Sequence, residues 1–193
     1  PIFTESPIVL GIDGTAKMSK SAGNTIPIFA EPDEIRRLVM SMVTDPQRIR
    51  RTDPGRPEVC NVCQLHRFFG GDYLQIQDGE RTARTGCVET KQLLAERIIE
   101  FFRPMREKRE RIRFDILRNV YERSWSEGDT PVRALDVGLA MGLSREEIFR
   151  TVLDLTQRSY LSFCAAGPQV CITEKGIAYL QKGAGRRHSV REP

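Results

Sequence analysis

The sequence predicts a mainly α-helical chain that closes in a small α+β unit. Three observations carry this. Residues 89–102, ETKQLLAERIIEFF, repeat apolar side chains at helical spacing, and Leu94, Ile98, Phe101 and Met105 fall on one face. Residues 134–160 read as two short helices around Gly142, with Ser144 and Glu147 spaced as a capping box. Two short apolar runs, YLSFC at 160–164 and QVCIT at 169–173, are joined by AAGP and read as a hairpin.

The elements follow in order. IVLGI at 8–12 reads as a buried strand, Asp13-Gly14 as a turn, and KMSKSAGN at 17–24 as a polar loop that cannot pack as core. Pro32 and Asp33 suit a helix start, and EIRRLVMSMV at 34–43 carries a helical stripe. Residues 44–57, TDPQRIRRTDPGRP, form an extended basic loop. A short helix is expected from Asn61 to Phe69, before a break at Gly70-Gly71. Pro104 should kink the 89–102 helix or begin a second segment, and FDILRNVYER at 114–123 is a further helix. TEKGIAYLQK closes as a helix. The order helix, helix, helix, hairpin, helix is that of a winged helix. The expected divisions are 1–30, 31–113, a winged-helix-like 114–181 and a disordered tail at 182–193.

Composition bounds the function. The 193 residues are 39% hydrophobic and 29% charged, an ordinary globular mix. No run approaches the roughly 18 apolar residues of a membrane span. The chain starts PIFTESPIVL, with neither an initiator Met nor a signal peptide, which suggests a cut-out fragment. Residues 103–113, RPMREKRERIR, hold six basic and two acidic side chains, a local net of +4 that equals the whole-chain excess. Five cysteines, an odd number, argue against a closed disulfide framework and for a reduced cytoplasmic setting.

Lys17-Met18-Ser19-Lys20-Ser21 is the most informative segment. Two ammonium groups and two hydroxyls on a loop after a turn can wrap a polyphosphate. The lysines neutralise charge that builds as pyrophosphate leaves, and hydroxyls and loop amides bind phosphate oxygens. The plainer alternative is a solvated loop with chance lysines, because short motifs are hypotheses.

KMSKS, in the context GIDGTAKMSKSAGNTI, resembles the second signature of the class I aminoacyl-tRNA synthetases. MVTDPQRIRRTDPGRPEVCNVCQLHRFF and ARTGCVETKQLLAERIIEFFRPMREKR resemble the bacterial tryptophanyl branch, so the resemblance covers about residues 5–113. It implies the C-terminal part of a tryptophan–tRNA ligase, which activates tryptophan with ATP and Mg2+ and transfers it to tRNA(Trp). By that resemblance Lys17 and Lys20 bind ATP and stabilise pyrophosphate, with Met18, Ser19 and Ser21 completing the ATP site. The helical region would contact tRNA and contribute to a homodimer. The family's His-x-Gly-His signature and tryptophan pocket are absent from this sequence, so the chain alone is expected to be inactive. The winged-helix-like region lies outside the resemblance. The competing expectation is a non-catalytic helix-turn-helix nucleic-acid-binding protein carrying a relic synthetase segment.

Cys60, Cys63, His66 and Cys87 raise the question of a metal. Some tryptophanyl synthetases that this chain resembles hold an iron–sulfur cluster here. Their first and third cysteine positions fall on Cys60 and Cys87, but the second and fourth fall on Glu80 and Thr90, so no cluster is expected. The alternative is zinc on Cys60, Cys63, His66 and Cys87, although C-x2-C-x2-H is not a standard finger spacing. Buried or free thiols are the favoured reading. Cys164 and Cys171 read as packing residues of a reduced hairpin.

Arg48, Arg50, Arg51 and Arg56 in the loop, and Arg103, Arg106, Lys108, Arg109, Arg111 and Arg113 on the helix, can bind tRNA phosphates through counterion release. A solvated helix face with local Glu pairs accounts for the helical group equally well. The residues expected to carry tRNA are Arg48, Arg50, Arg51, Arg103 and Arg106. On the second helix of the helix-turn-helix, Arg145, Arg150 and Arg158 are offset by Glu146, Glu147 and Asp154, which favours an accessory tRNA or protein contact over gene regulation.

Overall fold

The computed structural model describes residues 8–126, 130–164 and 168–188. The chain divides into two compact units, Pro1–Arg106 and Glu107–Pro193. Among the described residues no helix is long and apolar enough to cross a membrane.

In the first unit, α1 (Pro32–Ser41) starts with proline in its first turn, where the missing N–H costs nothing, and with Asp33 and Glu34 at the positive end of the helix dipole. It buries Ile35 and Val39. Helix α2 (Asn61–Phe69) has the bounds expected from sequence, and Gly70 ends it. Helix α3 (Tyr73–Arg81) was not foreseen as a separate element; its polar sequence YLQIQDGER offers one apolar anchor, Ile76. Ile35, Val39, Met42, Val62, Leu65, Leu94 and Ile98 form the core. Each such side chain contributes about 1.5–3 kcal/mol by leaving water.

Helix α4 runs from Cys87 to Ser126 and includes Pro104. The helices expected at 89–102 and 114–123 are therefore one element. Proline leaves the Glu100 carbonyl without its helical donor. Just beyond it, the Arg106 guanidinium reaches back to donate to the Ile99 carbonyl. The expected apolar face also needs correction. Leu94 and Ile98 are buried, but Phe101 and Met105 are exposed, and Phe102 packs against the core instead. The strand expected at 8–12 is absent: one isolated bridge joins Leu10 to Lys17, and Ile8 is exposed. An apolar run without a partner along its length cannot form a ladder.

The second unit begins with the end of α4, which buries Ile116, Leu117 and Val120. Residues 107–113, assigned from sequence to the preceding region, belong here: Ile112 packs on this core and Arg113 pairs with Asp154. Strand β1 (Val132–Arg133) is followed by α5 (Ala134–Ala140) and α6 (Arg145–Gln157). Gly142 turns the chain between them at φ +74°, a conformation that suits glycine. The capping box is present: Ser144 accepts from the Glu147 N–H, and the Glu147 carboxylate accepts from the Ser144 N–H. Strands β2 (Leu161–Phe163) and β3 (Gln169–Ile172) form the hairpin, and β1 joins it on the other edge of β3, all antiparallel. Helix α7 (Glu174–His188) extends through residues expected to be a tail from 182, and only 189–193 lie outside the described residues.

Cys164 and Cys171 form a disulfide, which corrects the reduced reading. Ser162 pairs with Cys171, so Cys164, two residues on, faces the same side as a diagonal neighbour. The Cα atoms lie 6.4 Å apart, within bonding range. An odd cysteine count says nothing about two cysteines placed across a hairpin.

Candidate functional site

The KMSKS loop is held by two polar side chains that the motif does not contain. Asn24 is almost fully buried. Its side-chain oxygen accepts from the Ser19 N–H at 2.8 Å, and its amide nitrogen donates to Asp13 Oδ2 at 3.0 Å. The other Asp13 oxygen accepts from the Thr15 and Ala16 N–H groups at 3.1 and 3.3 Å. These bonds, that from Asn24 first, hold the Asp13 carboxyl below its ordinary value. Backbone bonds close the frame: Met18 N–H donates to Val9 O at 2.9 Å and Ile12 N–H to Asn24 O at 3.0 Å. Gly11 is required, because a Cβ there would sit 2.2 Å from the Asn24 amide nitrogen. The Gly11 carbonyl accepts from buried Asn61 of α2 at 2.7 Å, which ties the loop to the core.

On this frame, Ser19 Oγ lies 3.2 Å from Ser21 Oγ and accepts from the Ala22 N–H at 3.2 Å. The serines thus shape the turn, a role the motif alone did not reveal. Lys17 and Lys20 are exposed. Among the described residues neither ammonium makes an ion pair or hydrogen bond. Two cations on a fixed backbone with no internal anion are suited to an external polyanion. Sequence reasoning missed Asp13 and Asn24 as functional supports, although a D-x10-N pair flanking a lysine-rich loop was visible.

The basic loop is different from what its composition suggested. Arg48 does not face solvent. Its side chain is 2% exposed and its guanidinium pairs with Glu80, itself 4% exposed. It also donates to the carbonyls of Arg51 and Thr85 at 2.9 and 2.7 Å. A guanidinium so enclosed cannot reach a tRNA phosphate. Arg56 pairs with buried Asp45 at 2.5 Å, and this holds the Asp45 carboxyl well below the usual carboxylate range. Arg51 pairs at the surface with Glu89 and Arg103 with Glu100. Arg106 is half-buried and donates to the Ile99 carbonyl. Arg50 is exposed, and its side chain has no partner among the described residues.

Arg48 also explains the cysteine region. Its guanidinium lies 3.9 Å from Cys87 Sγ, while Glu80 accepts from the Thr90 hydroxyl. Glu80 and Thr90 are thus joined to each other and to Arg48. Cys60 caps the start of α2 and Cys63 lies one turn on, both buried. The two thiols influence each other: Cys63 pulls Cys60 below its ordinary value against the effect of burial, and Cys63 is pushed up by Cys60 and by burial. His66 turns elsewhere: Nε2 is 3.0 Å from the Thr90 carbonyl and Nδ1 is 3.3 Å from Arg97. Among the described residues no three His, Cys, Asp or Glu side chains are grouped to hold a metal ion. The alternative set Cys60, Cys63, His66 and Cys87 is therefore not assembled, because the histidine is engaged on α4.

Comparison with known proteins follows the same division. Residues 1–103, just over half the chain, match the family model of the class I tRNA synthetases (W and Y). The chain is 45% identical over 111 residues to the tryptophan–tRNA ligase of Aquifex aeolicus, covering 56% of this chain and 28% of that protein. Over 127 residues it is 37% identical to the tryptophan–tRNA ligase of Deinococcus radiodurans, covering 65% and 38%. It thus spans well under half the length of these relatives. Among solved structures, the tryptophanyl-tRNA synthetase of Campylobacter jejuni complexed with ADP and tryptophan is similar over 80% of this chain and 44% of that one, with a TM-score of 0.51 and 25% identity.

Proposed function

The chain belongs to the class I tRNA synthetases (W and Y), and from that premise we propose that its first unit is the ATP-facing loop and adjoining helical region of a tryptophan–tRNA ligase. The observation that carries the proposal is the pair of unpartnered ammonium groups, Lys17 and Lys20, on a backbone clamped by Asn24 and Asp13. In the proposed reaction the tryptophan carboxylate attacks the α-phosphorus of Mg2+-bound ATP and pyrophosphate departs. Negative charge then gathers on the leaving oxygens, and the two lysines stabilise it there more than in bound ATP. Met18 helps to hold the turn through its N–H, and the Ser19 and Ser21 hydroxyls can donate to phosphate oxygens. The tryptophanyl group passes next to tRNA(Trp).

For tRNA the surface arginines Arg50, Arg51 and Arg103 remain in the reading, while Arg48 and Arg106 leave it. Homodimer assembly and a cytoplasmic setting belong to the same proposal and rest on the family. The second unit, whose helix, strand, helix, helix, hairpin and helix follow the order of a winged helix, is proposed as an accessory contact. The test is tryptophan-dependent ATP–pyrophosphate exchange. The full-length protein should show it and residues 1–193 alone should not. Exchange with another amino acid but not tryptophan would overturn the assignment.

A further inference from the structure

In the second unit, three guanidinium groups converge on one carboxylate. Arg109 lies 3.2 Å from Asp154 Oδ1, Arg113 Nε lies 2.5 Å from Oδ2, and Arg158 Nε lies 3.2 Å from Oδ2. Arg109 and Arg113 come from α4, one turn apart; Asp154 lies in the last turn of α6, and Arg158 caps that helix. Glu110 also lies near the group, 3.2 Å from Arg113, and the Tyr179 hydroxyl donates to it at 3.4 Å. Among the described residues, three guanidinium groups thus pair with two carboxylates.

The pairing is also poor in hydrogen bonds. Arg113 Nε and Asp154 Oδ2 are close, yet neither makes a hydrogen bond of acceptable geometry. The Arg113 side chain is 8% exposed, whereas those of Arg109 and Arg158 are 36% and 40% exposed and reachable from solvent. Burial first, and then repulsion from Arg113, lowers the Arg109 pKa, with Asp154 opposing them.

We propose that Arg109, Arg113 and Arg158 form a phosphate-binding site in the second unit, with Asp154 as an internal competitor that occupies it in the free protein. A phosphate group supplies several acceptor oxygens and negative charge, and planar guanidinium forks match its geometry. The chemistry is that of a phosphodiester in an RNA backbone or of free inorganic phosphate. It does not depend on the ligase reading, because it uses no residue of the lysine-rich loop and every residue lies beyond 1–103, the part that the family model matches.

The experiment measures binding of a labelled single-stranded RNA to the whole chain by fluorescence anisotropy, with inorganic phosphate as competitor. Arg158→Ala, at an exposed helix end, should weaken binding about tenfold, as expected for losing a hydrogen bond to a charged group. Asp154→Asn should tighten it by removing the competitor. Glu146→Gln makes the same charge change on the same helix but next to Arg150, and should have a much smaller effect. Displacement of RNA by millimolar phosphate would identify the site with free phosphate; resistance to it would identify the RNA backbone. Equal effects of Asp154→Asn and Glu146→Gln, or unchanged binding in a folded Arg158→Ala protein, would overturn the proposal.

Discussion

Asn24 donates its side-chain amide to the Asp13 carboxylate at 3.0 Å while accepting the Ser19 backbone N–H at 2.8 Å. One buried amide therefore links the turn before the lysine-rich loop to the loop itself. Asn24→Ala would leave the Ser19 N–H without its partner and free Asp13. The expected cost is about 1–3 kcal/mol for groups left unsatisfied in a part-buried site. Chemical denaturation should show the loss, and trypsin should cut faster after Lys17 and Lys20. Unchanged cleavage would mean that the backbone bonds at Met18 and Ile12 hold the loop without Asn24.

In the full-length protein, Lys20→Ala should lower the rate of tryptophan activation more than it weakens ATP binding. The ammonium acts most where pyrophosphate charge develops, so the loss belongs to the transition state. Each tenfold fall in rate corresponds to about 1.4 kcal/mol. A variant with unchanged kcat and only a raised KM for ATP would contradict this role.

The lysine-rich loop, α2, the capping box and the hairpin were legible in the sequence because each rests on a local signal: a motif, a glycine break, an S-x-x-E spacing, paired apolar runs. What was not legible was tertiary. Arg48 looks identical in composition to Arg50, yet Glu80, distant in sequence, draws it into the interior. Strand β1 is two residues long, too short for an alternating pattern, and exists because β3 offers it an edge. Phe101 shares a helical face with Leu94 and Ile98, but the core does not extend far enough along α4 to cover it. The Cys164–Cys171 bond depends on strand register, which composition does not carry.

The Arg48–Glu80 pair gives a stability prediction. Both side chains are buried, and Arg48 also holds the carbonyls of Arg51 and Thr85. Removing one partner leaves an uncompensated buried charge. Arg48→Met should destabilise the first unit by about 3–5 kcal/mol, and Glu80→Gln should be comparable. The double variant should lose less than the sum of the singles, because the second change removes the orphaned charge. Thermal or urea unfolding of the four proteins measures this directly. Strict additivity would show that the two side chains act independently.

His66 sets a pH dependence whose sign follows from its surroundings. It is fully buried, with Nε2 against the Thr90 carbonyl and Nδ1 facing the Arg97 guanidinium. Burial lowers its pKa, and the nearby Arg97 charge lowers it further. The neutral ring, protonated at Nε2 and accepting at Nδ1, is the form that fits. In the unfolded chain the imidazole takes up a proton near pH 6.5, about its ordinary value. Between that pH and the lower folded pKa the unfolded state binds more protons, so stability falls as the solution is acidified. The contribution is complete above about pH 6.5 and diminishes below it, levelling off once the folded-state ring also titrates. Urea unfolding from pH 8 down to pH 5 should show this decline, and His66→Gln should flatten it. An NMR titration should place the His66 ring below the ordinary histidine value. A value at or above the ordinary one would mean that burial and Arg97 do not disfavour the charged ring, and that His66 does not cause the decline.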